Sequence, residues 1–194
     1  MLKKNILAAA FVLGSALVSA HAAAQTSYFG GSVGRAKWNI DCTGTTSCHT
    51  AAGSWKLFGG YDFTPNFSVE GAYVYLNEVG ANSTPTVSSL KATFNGRGGD
   101  LAAVAKTPLA NNFLGFAKAG IAFMKGEVVT STFRAAGSET HYSGQPLIGF
   151  GAMYQVDKKI SIRAEIDFRK VKVAGFTQTT FGVTNYTIGM QSEF

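Results

Sequence analysis

Four stretches of this chain combine residue types and spacings that could do chemistry. Cys42, Cys48 and His49 lie in the polar run DCTGTTSCH, where the two thiols can close a small disulfide loop or, with the imidazole, begin a metal site. A fourth ligand is not visible nearby, and Lys3 and Lys4 ahead of the apolar run from Ile6 to Val18 mark an exported chain, which meets an oxidising compartment, so the disulfide is expected and no metal is. His141 beside Ser143, with Glu139 to orient it, is the one local arrangement of base, hydroxyl and carboxylate, the parts of a hydrolase or acyltransferase. Neighbours along one external loop lack the rigid support that catalysis needs, so a solvated histidine is expected and no catalytic residue is assigned. Glycine-rich GRGGD at 96–100 has no helix pattern after it to form a phosphate cradle, and no cofactor is expected.

The fourth stretch is ISIRAEIDFR, in which Arg163, Glu165, Asp167 and Arg169 alternate with Ile160, Ile162, Ala164, Ile166 and Phe168. That is the two-residue period of a strand; a helix would need its apolar residues three and four apart. The same alternation recurs along the chain. WKLFGGYDFTPNFSVEGAYVY reads as a hairpin turning at Thr64-Pro65-Asn66, with Trp55, Leu57, Tyr61, Phe63, Val69, Tyr73 and Tyr75 on one face and Lys56, Asp62 and Glu70 on the other. Further strands are expected at 28–38, 100–106, 113–124, 147–156 and 186–194, eight in all. In these, Ser32, Lys106, Lys118 and Gln191 fall on the face opposite the apolar row.

The connections alternate. Short turns at 64–66, 108–112 and 157–159 separate long polar stretches at 39–52, 77–99, 125–143 and 170–182. A soluble sandwich has no reason to put every long loop at one end, whereas an outer-membrane barrel has short periplasmic turns and long external loops. Aromatic residues near the strand ends, Trp55, Tyr61, Phe63, Tyr75, Phe123, Tyr154 and Phe168, match girdles at two membrane interfaces. The expected fold is therefore all-β, an eight-stranded antiparallel transmembrane up-and-down barrel. Its interior is wide enough only to be filled by side chains: Lys56, Asp62, Glu70, Lys106, Lys118, Arg163, Glu165, Asp167 and Arg169 as a charge network, with Ser32 and Gln191.

The N-terminus agrees with export. Lys3 and Lys4 precede an apolar run from Ile6 to Val18 and then small residues, a secretory signal expected to be cleaved after Ala24. The run is shorter than the ~20 residues of a spanning helix. Residues 25–194 form the single barrel domain. Removing Lys3 and Lys4 lowers Lys plus Arg from 17 to 15 against 11 acids, a mature net charge of +4 spread along the chain. Nucleic-acid binding needs clustered cations and is excluded.

FGGYDFTPNFSVEGAY, followed much later by YQVDKKISIRAEIDF and a terminal phenylalanine, resembles the OmpA/OmpX-like barrel family over essentially the whole mature chain. The resemblance implies that Glu70, Arg163 and Glu165, with Lys118, form a central interior salt-bridge cluster. Two departures stand out: Met153 occupies the place of an interior glutamate of the best-known member, and Ser32 that of an interior lysine. The C-terminal strand, with Tyr186, Ile188, Gly189 and Phe194, resembles the signal read by the barrel-assembly machinery, although Ser192 stands where an aromatic is usual. No peptidoglycan-binding domain is expected. The implied role is a structural and surface-interaction protein, with loops that meet host proteins, phage or lipopolysaccharide, and with Lys91, Arg97, Lys125, Arg134, Lys170 and Lys172 placed to meet anionic headgroups. A monomer is expected. A narrow channel through the lumen is the second reading and a lipid-modifying enzyme the third.

Overall fold

The computed structural model describes residues 26–43, 45–83, 91–131, 136–173 and 179–194. The apolar N-terminal segment, Arg134 and the crests of three expected loops lie outside these residues. Among the described residues nine strands form in chain order: β1 (Thr26–Trp38), β2 (Thr45–His49), β3 (Ala51–Thr64), β4 (Phe67–Ser83), β5 (Lys91–Ala110), β6 (Phe113–Ser131), β7 (Ala136–Gln155), β8 (Ile160–Val173) and β9 (Thr179–Glu193). Every pairing is antiparallel. The order β4-β3-β1-β9-β8-β7-β6-β5 returns to β4 through the β4–β5 pairing, so eight strands close a ring. β2 pairs only with the upper end of β4, where it continues β3 beyond the break at Thr50.

The three short connections lie at the end that also holds both described chain termini. Thr64 and Phe67 pair across Pro65-Asn66, and the Thr64 hydroxyl accepts from the amides of Asn66 at 3.3 Å and Phe67 at 3.0 Å. Ala110 and Phe113 pair across Asn111-Asn112, tighter than the turn expected at 108–112. Asn111 has φ 43°, a left-handed conformation that asparagine tolerates better than most side chains.

The opposite end departs from the sequence reading. Most of the expected loop at 77–99 is strand, since β4 reaches Ser83 and β5 begins at Lys91; GRGGD therefore lies in β5. β6 and β7 likewise extend to Ser131 and from Ala136, β8 and β9 to Val173 and from Thr179, and the 39–52 stretch contains β2 and the start of β3. The physical reason is an inversion of polarity. Between the two aromatic belts the outward row is apolar and exposed, as at Val33 and Ile188, while charges face inward. Above the upper belt the outward row turns polar, with Lys37, Lys125 and Lys170, and the inward row becomes apolar. There Trp38, Leu76, Val79, Met124, Val128, Leu147, Val171 and Val183 pack into one buried cluster. The ring thus continues above the upper belt as a small barrel with an ordinary hydrophobic core.

Rings pair on the outer surface at both belts: Trp55 with Tyr73 at 5.6 Å and with Tyr75 at 5.8 Å, Phe150 with Phe168 at 5.7 Å, and Phe113 with Tyr154 at 4.9 Å. Between the belts Ile188, flanked by Val33 and Ala164, is 58% exposed. Ile188→Arg is expected to lower folding stability in phosphatidylcholine vesicles by about 2–4 kcal/mol, the scale for a cation at a lipid-facing midplane site. Urea unfolding followed by tryptophan fluorescence measures it; an unchanged midpoint would show that this row does not face lipid.

Candidate functional site

The inward rows of five strands converge on one buried cluster at mid-height. β8 contributes every second residue from Arg163 to Arg169, β3 contributes Lys56 and Phe58, β4 Glu70, β5 Asp100, and β6 Phe116 and Lys118. The registers fix these heights, with Glu70 opposite Gly60 and Ala102, and Lys118 opposite Val104 and Gly149.

Arg163 sits at the centre. Its Nη1 lies 2.6 Å from Glu70 Oε2, its Nη2 2.6 Å from Glu165 Oε2, and its Nε donates to the same Glu165 oxygen at 2.9 Å. The guanidinium also lies between two rings, 4.5 Å from the centroid of Phe58 and 4.2 Å from that of Phe116. Its edges therefore donate to carboxylates while its faces meet π-clouds, a combination open to a planar guanidinium and not to an ammonium. Lys118 Nζ lies 2.8 Å from Asp167 Oδ1 and 3.0 Å from Glu165 Oε1. Lys56 pairs with Glu165 and lies 3.6 Å from Asp167 Oδ2. Arg169 bridges Asp167 at 3.0 Å and Asp100 at 2.9 Å. The Tyr28 hydroxyl donates to Glu70 Oε2 at 3.2 Å.

The cluster holds four cations, Lys56, Lys118, Arg163 and Arg169, and four carboxylates, Glu70, Asp100, Glu165 and Asp167. Balance matters because each buried ion costs several kcal/mol unless paired and hydrogen-bonded. Lys106 stands apart, nearer the short turns: its Nζ lies 2.7 Å from Asp62 Oδ1 and 4.6 Å from the ring centroid of Tyr28. Small residues make the space. A Cβ on Gly149 would strike Asp167 Oδ1 and the Lys118 side chain, and one on Gly60 would strike the ring of Tyr28. At these two glycines the space is filled by neighbours' side chains, whereas at Gly34, Gly98, Gly120 and Gly189 a Cβ would first strike the backbone of the adjoining strand. Met153 packs with Val104 and Phe116 below the charges, and the Ser32 hydroxyl is buried without a hydrogen-bond partner.

Several contributors escaped the sequence reading. Asp100 is one of them: six residues before Lys106 in a strand of period two, it falls on the same inward face, and that spacing is the signal available. That Phe58 and Phe116 would sandwich Arg163, that Tyr28 would reach Glu70, and that Ser54 would donate to Asn185 at 2.6 Å had no signal in spacing alone.

The OmpA-like transmembrane domain matches residues 22–187. The chain belongs to that family. Among solved structures, it is similar to Ail of Yersinia pestis in complex with the heparin analogue sucrose octasulfate, at 13% identity over 88% of this chain and 99% of that one, with a TM-score of 0.57. It is similar also to Neisserial surface protein A, at 14% identity over 87% and 97% of the two chains, again with a TM-score of 0.57. No curated protein matches the chain. The closed ring of eight strands and the family together make this an OmpA-like outer-membrane barrel.

At the upper end of this OmpA-like barrel, Cys42 and Cys48 are disulfide-bonded, with Cα atoms 5.9 Å apart, so their thiols are not metal ligands. Beside them the Asp41 carboxylate accepts from the Thr43 hydroxyl at 2.6 Å and its amide at 2.9 Å, and these hydrogen bonds hold its pKa below the ordinary carboxylate value. His141 and Ser143 lie on one row of β7 rather than in a loop. No hydrogen bond joins them among the described residues, and the Ser143 hydroxyl is buried without a partner. In β9, Tyr186, Ile188 and Met190 share the exposed outer row and Phe194 ends the chain exposed, while Gly189 faces inward against Ser32.

Two outcomes follow for the charge cluster. Glu70→Ala is expected to cost about 3–5 kcal/mol, as when one partner of a buried pair is removed. Glu70→Ala with Arg163→Ala is expected to cost less than the sum by roughly 1 kcal/mol or more. Urea titration of the four proteins in vesicles measures the coupling, and strict additivity would show that the contact carries no energy. Gly149→Ala is expected to lower the unfolding midpoint by displacing Lys118 from Asp167, while Gly71→Ala, where a Cβ finds room, leaves it unchanged within error.

Proposed function

We propose that the chain is a closed anchor in the outer membrane that presents the upper ends of its strands as an interaction surface, rather than a channel or an enzyme. The observation that supports this most is the sequence of two seals along one lumen. The balanced ion cluster fills the interior at mid-membrane, with Arg163 wedged between Phe58 and Phe116, and the apolar cluster from Trp38 to Val183 fills it above. Water and ions crossing would have to break the first and wet the second. An eight-stranded ring leaves little space beside such fillings.

The surface role rests on the upper barrel, which rises beyond the aromatic belt on paired strands and carries the Cys42–Cys48 loop at its edge. Ail, a barrel of similar fold, is known in complex with a heparin analogue. The proposal includes export by the N-terminal signal with cleavage after Ala24, and reading of the Tyr186, Ile188 and Phe194 row by the barrel-assembly machinery. A monomer suffices, since the ring closes within one chain. A catalytic role has less support, because His141 and Ser143 do not engage one another and the remaining mature histidine, His49, is exposed beside the disulfide.

Heat-modifiable gel migration followed by planar-bilayer recording tests the proposal. A compact unheated band with no steady conductance is the expected result. Reproducible channel steps altered by Arg163→Ala would replace the anchor with a narrow pore. Absence of heat-modifiable migration would remove the membrane barrel.

A further inference from the structure

Below the ion cluster, at the end of the short turns, the barrel holds a cavity of about 280 Å³. That is the small end of the range for small-molecule sites, roughly 300–1,000 Å³. Leu114 and Met153 line it with apolar surface, and Ser161, Gln155 and Glu193 with polar surface, while the Asp62–Lys106 pair stands in its wall. Apolar surface beside a few polar groups is the composition of a ligand site.

The charges lining this cavity do not balance. Lys106 is committed to Asp62, its Nζ lying 2.7 Å from Oδ1 and 2.9 Å from Oδ2, with the ring centroid of Tyr28 at 4.6 Å. Glu193 makes no ion pair among the described residues. Lys159 of the adjoining turn meets it through backbone, its carbonyl accepting from the Glu193 amide at 2.8 Å. Gln191 Nε2 donates to Glu193 Oε1 at 3.2 Å, and Gln191 Oε1 lies 3.5 Å from Arg163 Nη1. The buried Gln191 thus holds the carboxylate in place, and Oε2 accepts no hydrogen bond from a described residue. An anion here would meet two carboxylates and a lysine already committed to one of them. A cation meets a carboxylate with an open oxygen.

We infer that this cavity binds a small primary ammonium with a short apolar body, its nitrogen donating to Glu193 Oε2 and its hydrocarbon lying on Leu114 and Met153. An ammonium carries three donors, and the Ser161 hydroxyl and the Gln155 side chain line the same cavity as further acceptors. The bond to Glu193 is charge-assisted, and each methylene buried on the apolar surface adds to affinity. Quaternary ammonium groups are held by aromatic faces instead, and the Tyr28 ring already faces Lys106. On the outer-membrane reading, on which this source alone rests, the short turns face the periplasm and the ligand enters from there.

The test uses the mature protein in phosphatidylcholine nanodiscs, isotope-labelled at its methionine methyl groups, with n-butylammonium as the probe. Met153 lines the cavity, Met124 lies in the upper apolar cluster and Met190 on the exposed outer row, so their NMR signals report site, upper lumen and lipid separately. A saturable shift of Met153 without one of Met124 or Met190 is expected. n-Butanol and butyrate, which lack the positive charge, are expected to act at least about tenfold more weakly, the lower end for a hydrogen bond to a charged group. Ammonium ion, which lacks the hydrocarbon, is expected to lose a similar factor. Glu193→Gln keeps an acceptor for Gln191 and removes the charge, and is expected to bring n-butylammonium down to the level of n-butanol. Ser161→Leu fills the cavity and is expected to abolish the shift with every charge in place. Asp157→Asn, on the turn outside the cavity, removes the same charge and is expected to change nothing. A Met153 shift that follows Met190 without saturating, n-butanol or butyrate as effective as n-butylammonium, or an equal effect of Asp157→Asn would each overturn the inference. Should Glu193→Gln not fold, the comparison of probes on the unaltered protein and the Ser161→Leu variant still decides. Heat-modifiable migration is scored for every preparation: loss of the barrel overturns the membrane reading itself, whereas an intact barrel with no saturable Met153 shift overturns the ammonium site alone.

Discussion

The structure depends on the closure of its hydrogen-bonded ring. In hydrocarbon an unpaired backbone amide or carbonyl costs several kcal/mol, so a sheet can cross only if no edge is left. Pairing β4 with β5 on one side and β1 with β9 on the other leaves none at the height of the membrane. Closure also fixes what the side chains must do. With eight strands the ring is just wide enough to be filled by its inward residues, and each polar group that points inward must find its partner there.

Two fillings meet that requirement at different heights. At mid-membrane, where the outward row is apolar by necessity, the inward row is polar, and four cations matched to four carboxylates make the polarity tolerable. Above the belt the outward row faces water, and the inward row can be apolar as in any soluble protein. KVKV at 170–173 shows the change in four residues, with Lys170 and Lys172 outward and Val171 buried. The same inversion on β1 turns Val33 outward and Ser32 inward into Lys37 outward and Trp38 inward. One continuous ladder of strands is therefore a membrane protein below and a soluble barrel above.

That inversion explains where the sequence reading stopped short. It followed apolar outward rows and ended each strand where they ended, so Lys125, Lys170 and the polar residues near them read as loop. The strands continued because their inward residues, Met124, Val128, Phe94, Phe181 and Val183, still had a core to enter. The alternation was visible in residue order, but with its faces exchanged it looked like noise. Asp100 was overlooked in a different way, on the correct face but without a reason, within its own strand, to count it as a partner of Arg169.

By itself the sequence determined the fold class, the eight-strand ring, the short turns at one end, the disulfide pair, and which face of each transmembrane segment carries charge. Those follow from local period and from the compartment, and both are written in residue order. Only the tertiary structure decided which charges meet, that Arg163 lies between Phe58 and Phe116, that Gly149 gives way to Lys118 and Asp167, and how far the strands rise above the membrane. These depend on register and closure, which bring together residues as far apart as Glu70 and Arg163, and no local pattern encodes a distance across the ring.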